Sequence, residues 1–206
     1  MFKKLTQISL LFILLGFSAF IKAEPLGYET LTPPQPTQNP DKIEVIEFFW
    51  YGCPHCYHFE PLLTKWRETL PENVQFIRQP AIFNSLWEQH AKAYFTAEAL
   101  GIVEKVHADF FDAIQNKKQK LATEDELMKF FAAHGVSEAD FRSAYHSFLV
   151  DTKVRQAKTM APRYGVTGVP AVIINGKYKT NGPLAKSQEN MINVMNQLIQ
   201  KESSGQ

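Results

Sequence analysis

The chain has 206 residues, with 22 basic and 21 acidic side chains, and this balance gives no positive excess of the kind that binds nucleic acid. Hydrophobic residues make up 45% and aromatic residues 13% of the chain, which indicates a globular protein. Both of its cysteines lie in one short segment, so the compartment of the protein decides what chemistry they can perform.

Residues 1–23 have the pattern of a secretory signal peptide. Lys3 and Lys4 precede an apolar run from about Ile8 to Ile21, and Ala23 offers a small residue for cleavage. The run is shorter than the roughly 20 apolar residues that a membrane-spanning helix needs, so cleavage is predicted rather than anchoring. Loss of three lysines and no acids would change the formal charge from +1 to −2. We therefore expect a soluble mature protein outside the cytoplasm.

A strand, a helix and a second strand follow the signal peptide in the predicted order. The proline-rich segment 24–42 predicts an extended lead-in, with one short edge strand at 28–31. Residues 43–51 are apolar, β-branched or aromatic except for two glutamates, which indicates a buried strand. A helix is predicted over 53–70 and a strand over 74–78. This order is a βαβ unit, so the two strands should be parallel.

The middle of the chain, residues 85–163, has helical patterns only. Capping-box signatures, in which an acid follows a hydroxyl residue by three positions, predict helix starts at Ser85, Thr123 and Ser137. Helix ends are predicted at Gly101 and Gly135. The helix after Ser137 is predicted to bury one apolar stripe that contains Phe141, Ala144, Tyr145, Phe148 and Leu149.

Strands return near the end of the chain. Residues 171–174 and 178–180 are predicted strands, joined by an Asn175-Gly176 turn that suits a tight hairpin. A last helix is predicted over 187–200, and residues 202–206 are predicted to be a disordered tail. The chain order is therefore βαβ, a helical block, then ββα, which indicates an α/β domain split by a helical insertion.

The two cysteines, Cys53 and Cys56, lie in the segment WYGCPHCYHF directly after the first long strand. A structural disulfide here would close so short a ring that it restrains the unfolded chain by only about 2 kcal/mol. A structural zinc site usually needs a second, separate pair of ligands, which the sequence lacks. Covalent haem needs a histidine where Tyr57 stands. We therefore expect neither a metal nor a cofactor.

Thiol–disulfide exchange accounts for the spacing and for the position of the pair. Cys-x-x-Cys at the start of a helix, after a strand of a βαβ unit, is typical of a thioredoxin-like redox motif. Pro54 suits the first helical position and leaves Cys53 at the helix N-terminus, where backbone N–H groups stabilise a thiolate. We predict that Cys53 is the exposed nucleophile and that Cys56 is the buried resolving thiol. His55, as a second stabiliser of the thiolate, would make the disulfide a stronger oxidant.

The chain resembles the DsbA family, the thioredoxin-fold disulfide oxidases of the bacterial periplasm. The resemblance runs from about residue 28 to residue 201, and its most specific segments are EFFWYGCPHCYHFEP at 47–61 and GVPAVIINGKY at 168–178. It implies an α/β, thioredoxin-like fold in which an all-helical insertion, 85–163, separates a first part, 43–84, from a second part, 164–201.

The resemblance also assigns residues beside the cysteine pair. Pro170 matches a cis-proline that packs against the active-site disulfide, where the backbone at Val169 and Pro170 can pair with a substrate chain. Glu47 matches a buried acid beneath the second cysteine and could relay a proton to or from that thiol. A carboxylate in a buried strand needs a partner or a proton, and Arg78 is a candidate partner; the alternative is a solvated strand position.

Two further positions in this region concern shape. Pro61 is expected to kink the helix two turns beyond the active site, and so to have a structural role beside Pro54. Gly52 departs from family members that carry a bulky aromatic residue just before the first cysteine. The surface beside the first sulfur, and with it the preference for partners, should therefore differ from theirs.

The function that the resemblance implies is that of a monomeric periplasmic oxidase. It would donate the Cys53–Cys56 disulfide to reduced, unfolded secreted proteins and be reoxidised by a DsbB-like, quinone-linked membrane protein. A disulfide isomerase or reductase is an alternative, although isomerases of this compartment usually carry a dimerisation domain and none is apparent before residue 43. A chaperone-like peptide-binding module with vestigial cysteines is the alternative from another class.

Overall fold

The structure of the protein, a computed structural model, describes residues 27–205. The predicted signal peptide at 1–23 lies outside the described residues. Within them the chain forms a five-stranded sheet in the order β1-β5-β4-β2-β3. The strands are β1 (Glu29–Thr30), β2 (Ile43–Phe49), β3 (Val74–Pro80), β4 (Ala171–Ile174) and β5 (Tyr178–Asn181). The short first strand confirms the predicted edge strand, since it pairs antiparallel with β5 at the border of the sheet.

The predicted buried strand at 43–51 corresponds to the central strand of the sheet, β2. It pairs parallel with β3, which confirms the predicted βαβ unit, and antiparallel with β4 on its other side. All seven of its residues are buried, including Glu44 and Glu47. The hairpin between β4 and β5 turns at Asn175 and Gly176 with φ values of 50° and 64°, as the dipeptide predicts.

Helices cover both faces of the sheet and form the block between β3 and β4. In chain order the helices within residues 27–205 are α1 (Pro54–Arg67), α2 (Ser85–Ala99), α3 (Val103–Gln115), α4 (Glu124–Ala133), α5 (Glu138–Tyr145), α6 (Phe148–Arg163), α7 (Gly182–Ala185) and α8 (Gln188–Ser204). The block α2–α6 is the predicted helical insertion. None of the helices in the described part of the chain is long and apolar enough to cross a bilayer.

The apolar core of the helical block continues into the end of β2. Phe110 and Phe111 of α3 pack with Phe49, Tyr51 and both cysteines in one buried cluster. On the same face of β2, α1 and α8 pack against β2 and β4 in a second cluster. Ile46 and Phe48 lie on the opposite face of β2, where they pack with Ala161 of α6. The cysteine segment therefore lies where the sheet, α1 and the inserted helices meet.

Two of the predicted helix starts are confirmed and one is wrong. Thr123 forms the full capping box with Glu126, and Ser137 accepts a hydrogen bond from the N–H of Asp140. Ser85, however, is the first residue of α2 rather than its cap. The preceding Asn84 has extended backbone, and its side chain accepts hydrogen bonds from two backbone N–H groups of the first turn. Gly101 and Gly135 follow the ends of α2 and α4 in left-handed conformations, as predicted.

The predicted stripe after Ser137 is also partly wrong, because the helix stops at Tyr145. Ser147 caps a new helix, and this break turns Phe148 and Leu149 to solvent with 82% and 53% of their surface exposed. The predicted disordered tail, 202–206, differs too, since α8 continues to Ser204; residue 206 lies outside the described residues. The reason is that Glu202 is buried and accepts hydrogen bonds from the Asn175 and Lys177 side chains.

Candidate active site

The first cysteine occupies the position that the sequence predicts for it. Cys53 is the N-cap of α1, with extended backbone, and Pro54 is the first helical residue. The Cys53 Sγ accepts a hydrogen bond from the N–H of Cys56 at 3.3 Å. His55 is exposed, and Cys56 is fully buried one turn further into the helix. Pro61 lies inside α1, which continues past it to Arg67, and the kink stays a prediction.

A neighbouring loop covers the first sulfur. The Val169–Pro170 peptide bond is cis, as the resemblance implied, and the Cys53 thiol donates to the carbonyl oxygen of Val169 at 3.4 Å. Only 8% of the Cys53 surface is exposed, so the prediction of an openly exposed nucleophile is wrong in degree.

The two thiols have opposite acidity. The pKa of Cys53 is lowered to about 6, chiefly by a hydrogen bond from the Cys56 thiol, with help from the backbone N–H groups of Cys56 and His55 and from the charge of His55. These contributions outweigh the desolvation that opposes them. Burial raises the pKa of Cys56 well above its ordinary value. At neutral pH the pair thus consists of a thiolate at Cys53 and a neutral thiol at Cys56.

Glu47 is fully buried in β2, which rules out the alternative that it occupies a solvated strand position. Burial, followed by the charge of Glu60, raises the pKa of Glu47 to about 8. The charge of Glu47 is also one of the influences that raise the pKa of Cys56. Arg78 stands opposite Glu47 in the β2–β3 register, but its Nε lies 4.0 Å from Glu47 Oε2, at the limit of an ion pair. The carboxyl group is therefore placed to hold a proton near neutral pH.

Arg78 has a closer partner that was not predicted from the sequence, namely Glu60 of α1. The Arg78 Nη2 contacts Glu60 Oε1 in the interior, and the Arg78 Nη1 lies 3.3 Å from Glu104 Oε1 on α3. Glu60 lies one helical turn after Cys56 on the same buried face of α1. That spacing is a signal that could have identified it.

His107 of α3 completes this buried group of polar side chains. Its Nε2 lies 3.3 Å from Glu60 Oε2, and its Nδ1 lies 2.8 Å from the hydroxyl of Tyr51. Burial lowers the pKa of His107, so the ring favours its neutral form. The available signal was a histidine within the apolar face that also contains Val106 and Phe110.

Trp50 explains why a glycine precedes the first cysteine. A Cβ at Gly52 would overlap the indole ring of Trp50, which lies directly over that backbone. The ring stacks on Trp87 of α2 with centroids 4.2 Å apart, and its Nε1 donates to His90 Nδ1 at 3.0 Å. The aromatic ring that covers the backbone at position 52 thus comes from two positions earlier in the chain.

A groove of about 540 Å³ lies next to the cysteine motif. Its lining includes His55, Val169, Pro170, Pro183 and Gln188. It brings together His55 of the cysteine motif and the cis-proline loop, which lie far apart in sequence. Within residues 27–205, no group of three or more His, Cys, Asp or Glu side chains is arranged to hold a metal ion.

Comparison with known proteins identifies close relatives. The sequence model of the DSBA-like thioredoxin domain family matches residues 72–195. The chain is 45% identical to the thiol:disulfide interchange protein DsbA of Azotobacter vinelandii over 179 residues, 87% of this chain and 84% of the relative. The crystal structure of Pseudomonas aeruginosa DsbA has a TM-score of 0.84 and 42% identity, covering 87% of this chain and 93% of that one. The oxidoreductase DsbA of Xylella fastidiosa has a TM-score of 0.81 and 30% identity, covering 86% and 96%.

The position of these matches matters for the cysteine pair. The family match begins at residue 72, after both cysteines. The alignment with the Azotobacter relative, however, covers 179 of 206 residues and leaves only 27 outside (206 − 179), so it spans Cys53 and Cys56. The likeness therefore extends across the site as well as the fold.

Proposed function

The chain belongs to the DsbA family of thiol:disulfide oxidoreductases with a DSBA-like thioredoxin domain, and from this premise we propose that it is a periplasmic disulfide oxidase. Its Cys53–Cys56 disulfide passes to reduced, unfolded secreted proteins. The observation that carries this proposal is the lowered pKa of Cys53. A thiolate that is stabilised in the reduced enzyme makes the disulfide easier to reduce, and hence a stronger oxidant.

The exchange takes place in two steps. A substrate thiolate attacks Cys53 Sγ, the Cys53–Cys56 bond breaks, and Cys56 leaves with the bonding electron pair and takes up a proton. A second substrate thiolate then attacks the substrate sulfur of the mixed disulfide and releases Cys53 as a thiolate. The substrate gains one disulfide, and the enzyme gains the two electrons.

Glu47 is the proposed source of the proton that Cys56 needs. The sulfur of Cys56 is fully buried, so its thiolate has no access to water when it is released. Glu47 keeps its proton near neutral pH because of burial and the charge of Glu60. A neutral carboxyl group beside a newly formed buried thiolate favours transfer of that proton to sulfur.

The substrate chain is proposed to bind where the cis-proline loop borders the sulfur. The Cys53 Sγ lies 3.4 Å from the carbonyl oxygen of Val169, so a peptide that reaches Cys53 also reaches this backbone. The groove beside Pro170 offers space for the flanking substrate residues. Pairing with the backbone would suit many sequences, as a general oxidase requires.

Reoxidation and location complete the proposal. The reduced enzyme would pass its electrons to a DsbB-like, quinone-linked membrane protein, and the chain would act as a monomer. Export to the periplasm rests on the signal pattern at 1–23, with Lys3 and Lys4 before the apolar run. An oxidising compartment is also where such a disulfide can be maintained.

The test is oxidation of a reduced, unfolded test protein by the oxidised enzyme. Cys53→Ser and Cys56→Ser should both abolish activity, because neither variant can form the disulfide that is donated. When a test protein that already contains a disulfide is supplied instead, Cys53 of Cys56→Ser should displace one of its sulfurs and hold the other in a mixed disulfide, because the resolving thiol is gone. Titration of the wild-type pair against glutathione gives the direction of the reaction. Full activity of Cys53→Ser would overturn the proposal, and a disulfide as hard to reduce as that of thioredoxin would indicate a reductase instead.

A further inference from the structure

Gln188, the first residue of α8, makes a hydrogen bond to the active-site helix that the family assignment does not explain. Its side-chain Nε2 donates to the backbone carbonyl oxygen of His55 at 2.6 Å. The same peptide unit carries the N–H of Cys56, which donates to the Cys53 sulfur at 3.3 Å. One amide therefore links the two hydrogen bonds, and together they run from Gln188 to the nucleophile.

Hydrogen bonds that share an amide reinforce each other. Donation to a carbonyl oxygen draws electron density towards that oxygen and leaves the N–H of the same peptide unit more positive, by about 10–30% of the strength of one bond. The donor to the Cys53 sulfur is therefore stronger while Gln188 is bonded to the carbonyl. The gain is larger for a thiolate than for a thiol, since a charged acceptor responds more to the dipole of its donor.

Hydrogen bonds at the start of α8 fix the position of the Gln188 backbone. Ser187 is the N-cap, and its hydroxyl accepts the N–H of Asn190 at 3.0 Å. The Asn190 side chain returns to the carbonyl of Ala185 at 2.8 Å. Lys186, between them, has left-handed backbone with φ of 69°. These contacts fix the turn from which the glutamine side chain extends towards α1.

A second side-chain hydrogen bond joins the last turn of α1 to the middle of α8. The indole Nε1 of Trp66 donates to the side-chain oxygen of Asn196 at 2.7 Å. Pro61 lies between the two contact points, so α8 holds α1 on both sides of its proline. The distant contact supports packing without touching the cysteine segment, and it serves as the matched control.

We propose that Gln188 is a positioning residue for thiol–disulfide exchange, which acts through the His55–Cys56 peptide to strengthen the hydrogen bond to the Cys53 sulfur anion. The inference rests on the proposed role of Cys53 as the nucleophile. The titratable groups that act on Cys53 are Cys56, His55 and Glu47, and a change at Gln188 leaves all of them in the chain.

The test replaces Gln188 by methionine, which has a similar length and no donor. The thiolate absorbance of the reduced protein gives the titration of Cys53. Loss of about a fifth of one charge-assisted bond should raise its pKa by a few tenths of a unit. The disulfide should become about twofold harder to reduce by glutathione at neutral pH. The amide proton of Cys56 should move upfield in the NMR spectrum of reduced Gln188→Met, because its hydrogen bond is weaker.

Asn196→Leu is the control, because it removes the other α1–α8 side-chain hydrogen bond. It should lower the stability of the protein and leave the titration of Cys53 and the amide of Cys56 unchanged. The inference is overturned when Gln188→Met titrates as the wild type does, or when both variants shift Cys53 equally. A wild-type Cys53 that titrates as an ordinary thiol would instead overturn the proposed function itself.

Discussion

Glu47 and Cys53 are both buried acids, and yet their pKa values move in opposite directions. Cys53 lies at a helix N-terminus, where the thiol of Cys56 and backbone N–H groups point at its sulfur. Glu47 lies in the middle of a strand, and its Oε2 is a buried oxygen without a hydrogen bond among the described residues. Position within the backbone framework, and the donors that come with it, therefore decides which group ionises.

The raised pKa of Glu47 makes the stability of the protein depend on pH. Between the ordinary value of 4.5 and about 8, the folded protein holds a proton that the unfolded chain has lost. Stability therefore falls as pH rises through this window, by up to about 1.4 kcal/mol per pH unit. Glu60, whose pKa is lowered, has the opposite effect, but in more acidic solution.

Glu47→Gln should remove this pH dependence, because glutamine keeps the shape of the side chain and cannot ionise. The stability of the variant relative to its parent should rise steadily from about pH 5 to about pH 8. Denaturant unfolding in a Cys53→Ser background measures it without interference from the thiolate. Glu104→Gln, on the surface, is the control. A constant difference across the range would show that Glu47 ionises as an ordinary glutamate.

The motif residues could be predicted from sequence, while their buried neighbours could not be paired. Cys53, Pro54, His55 and Cys56 follow one another, so their arrangement depends only on the start of a helix. The contacts among Glu60, Arg78, His107 and Glu104 join α1, β3 and α3. Periodicity shows that such residues lie on a buried face, but the partner across the interior depends on how three elements pack.

At the scale of secondary structure, prediction failed where the apolar residues of two successive helices, α5 and α6, keep the spacing of a single helix. The spacing from Phe141 to Phe148 fits a single helix, and it would place both on one face. A break of two residues with a new cap at Ser147 changes the helical phase without changing the composition. The start of α2 was predicted at Ser85 instead of Asn84 because both residue types can cap a helix.

The break predicts unequal costs for two phenylalanines of the same apparent stripe. Phe141→Ala should lower the free energy of unfolding by about 3–5 kcal/mol, because Phe141 is fully buried against Phe131 and Tyr145. Phe148→Ala should change it by less than about 0.5 kcal/mol, because that side chain is exposed. Urea unfolding of both variants decides the matter, and similar costs would mean that Phe148 is buried after all.

In the loop before the first cysteine, a single added methyl group at position 52 should disturb the packing of Trp50. Gly52→Ala should displace the indole of Trp50 and disturb its stack on Trp87, at a cost of about 1–3 kcal/mol. Tryptophan fluorescence and near-UV circular dichroism report the displacement, and urea unfolding reports the cost. Gly182→Ala is the control, since a Cβ there meets nothing within 4 Å. Unaltered tryptophan spectra in Gly52→Ala would contradict the overlap.

For the molecule as a whole, the order of elements was predictable because strand and helix periods differ clearly along the chain. The sequence does not contain the information that places the helical block against the cysteine segment. That placement depends on Phe49 and Tyr51, which lie at and just after the end of β2. Their rings pack on Phe110 and Phe111. The helical insertion thus packs directly against the active-site segment. It is joined to the sheet by buried charged side chains as well as by apolar contacts.

Arg78 is the centre of that junction, since its guanidinium lies between β2, α1 and α3. It contacts Glu60 in the interior and Glu104 at the surface, and it lies 4.0 Å from Glu47. Removal of one member of a buried ion pair leaves an uncompensated charge, which costs about 3–5 kcal/mol. The sheet and the inserted helices should therefore lose stability together when this side chain is lost.

Arg78→Met tests this junction in a double-mutant cycle with Glu60→Gln. Each single variant should be strongly destabilised, and the double variant should be more stable than the sum of the two losses implies, by more than about 1 kcal/mol, because neither buried charge is then left without its partner. Arg67→Met is the matched control, since the Arg67–Glu104 pair is exposed and should contribute less than about 1 kcal/mol. Losses that simply add would show that Arg78 stabilises the fold through the packing of its stem, and that the charges do not join the sheet to the helices.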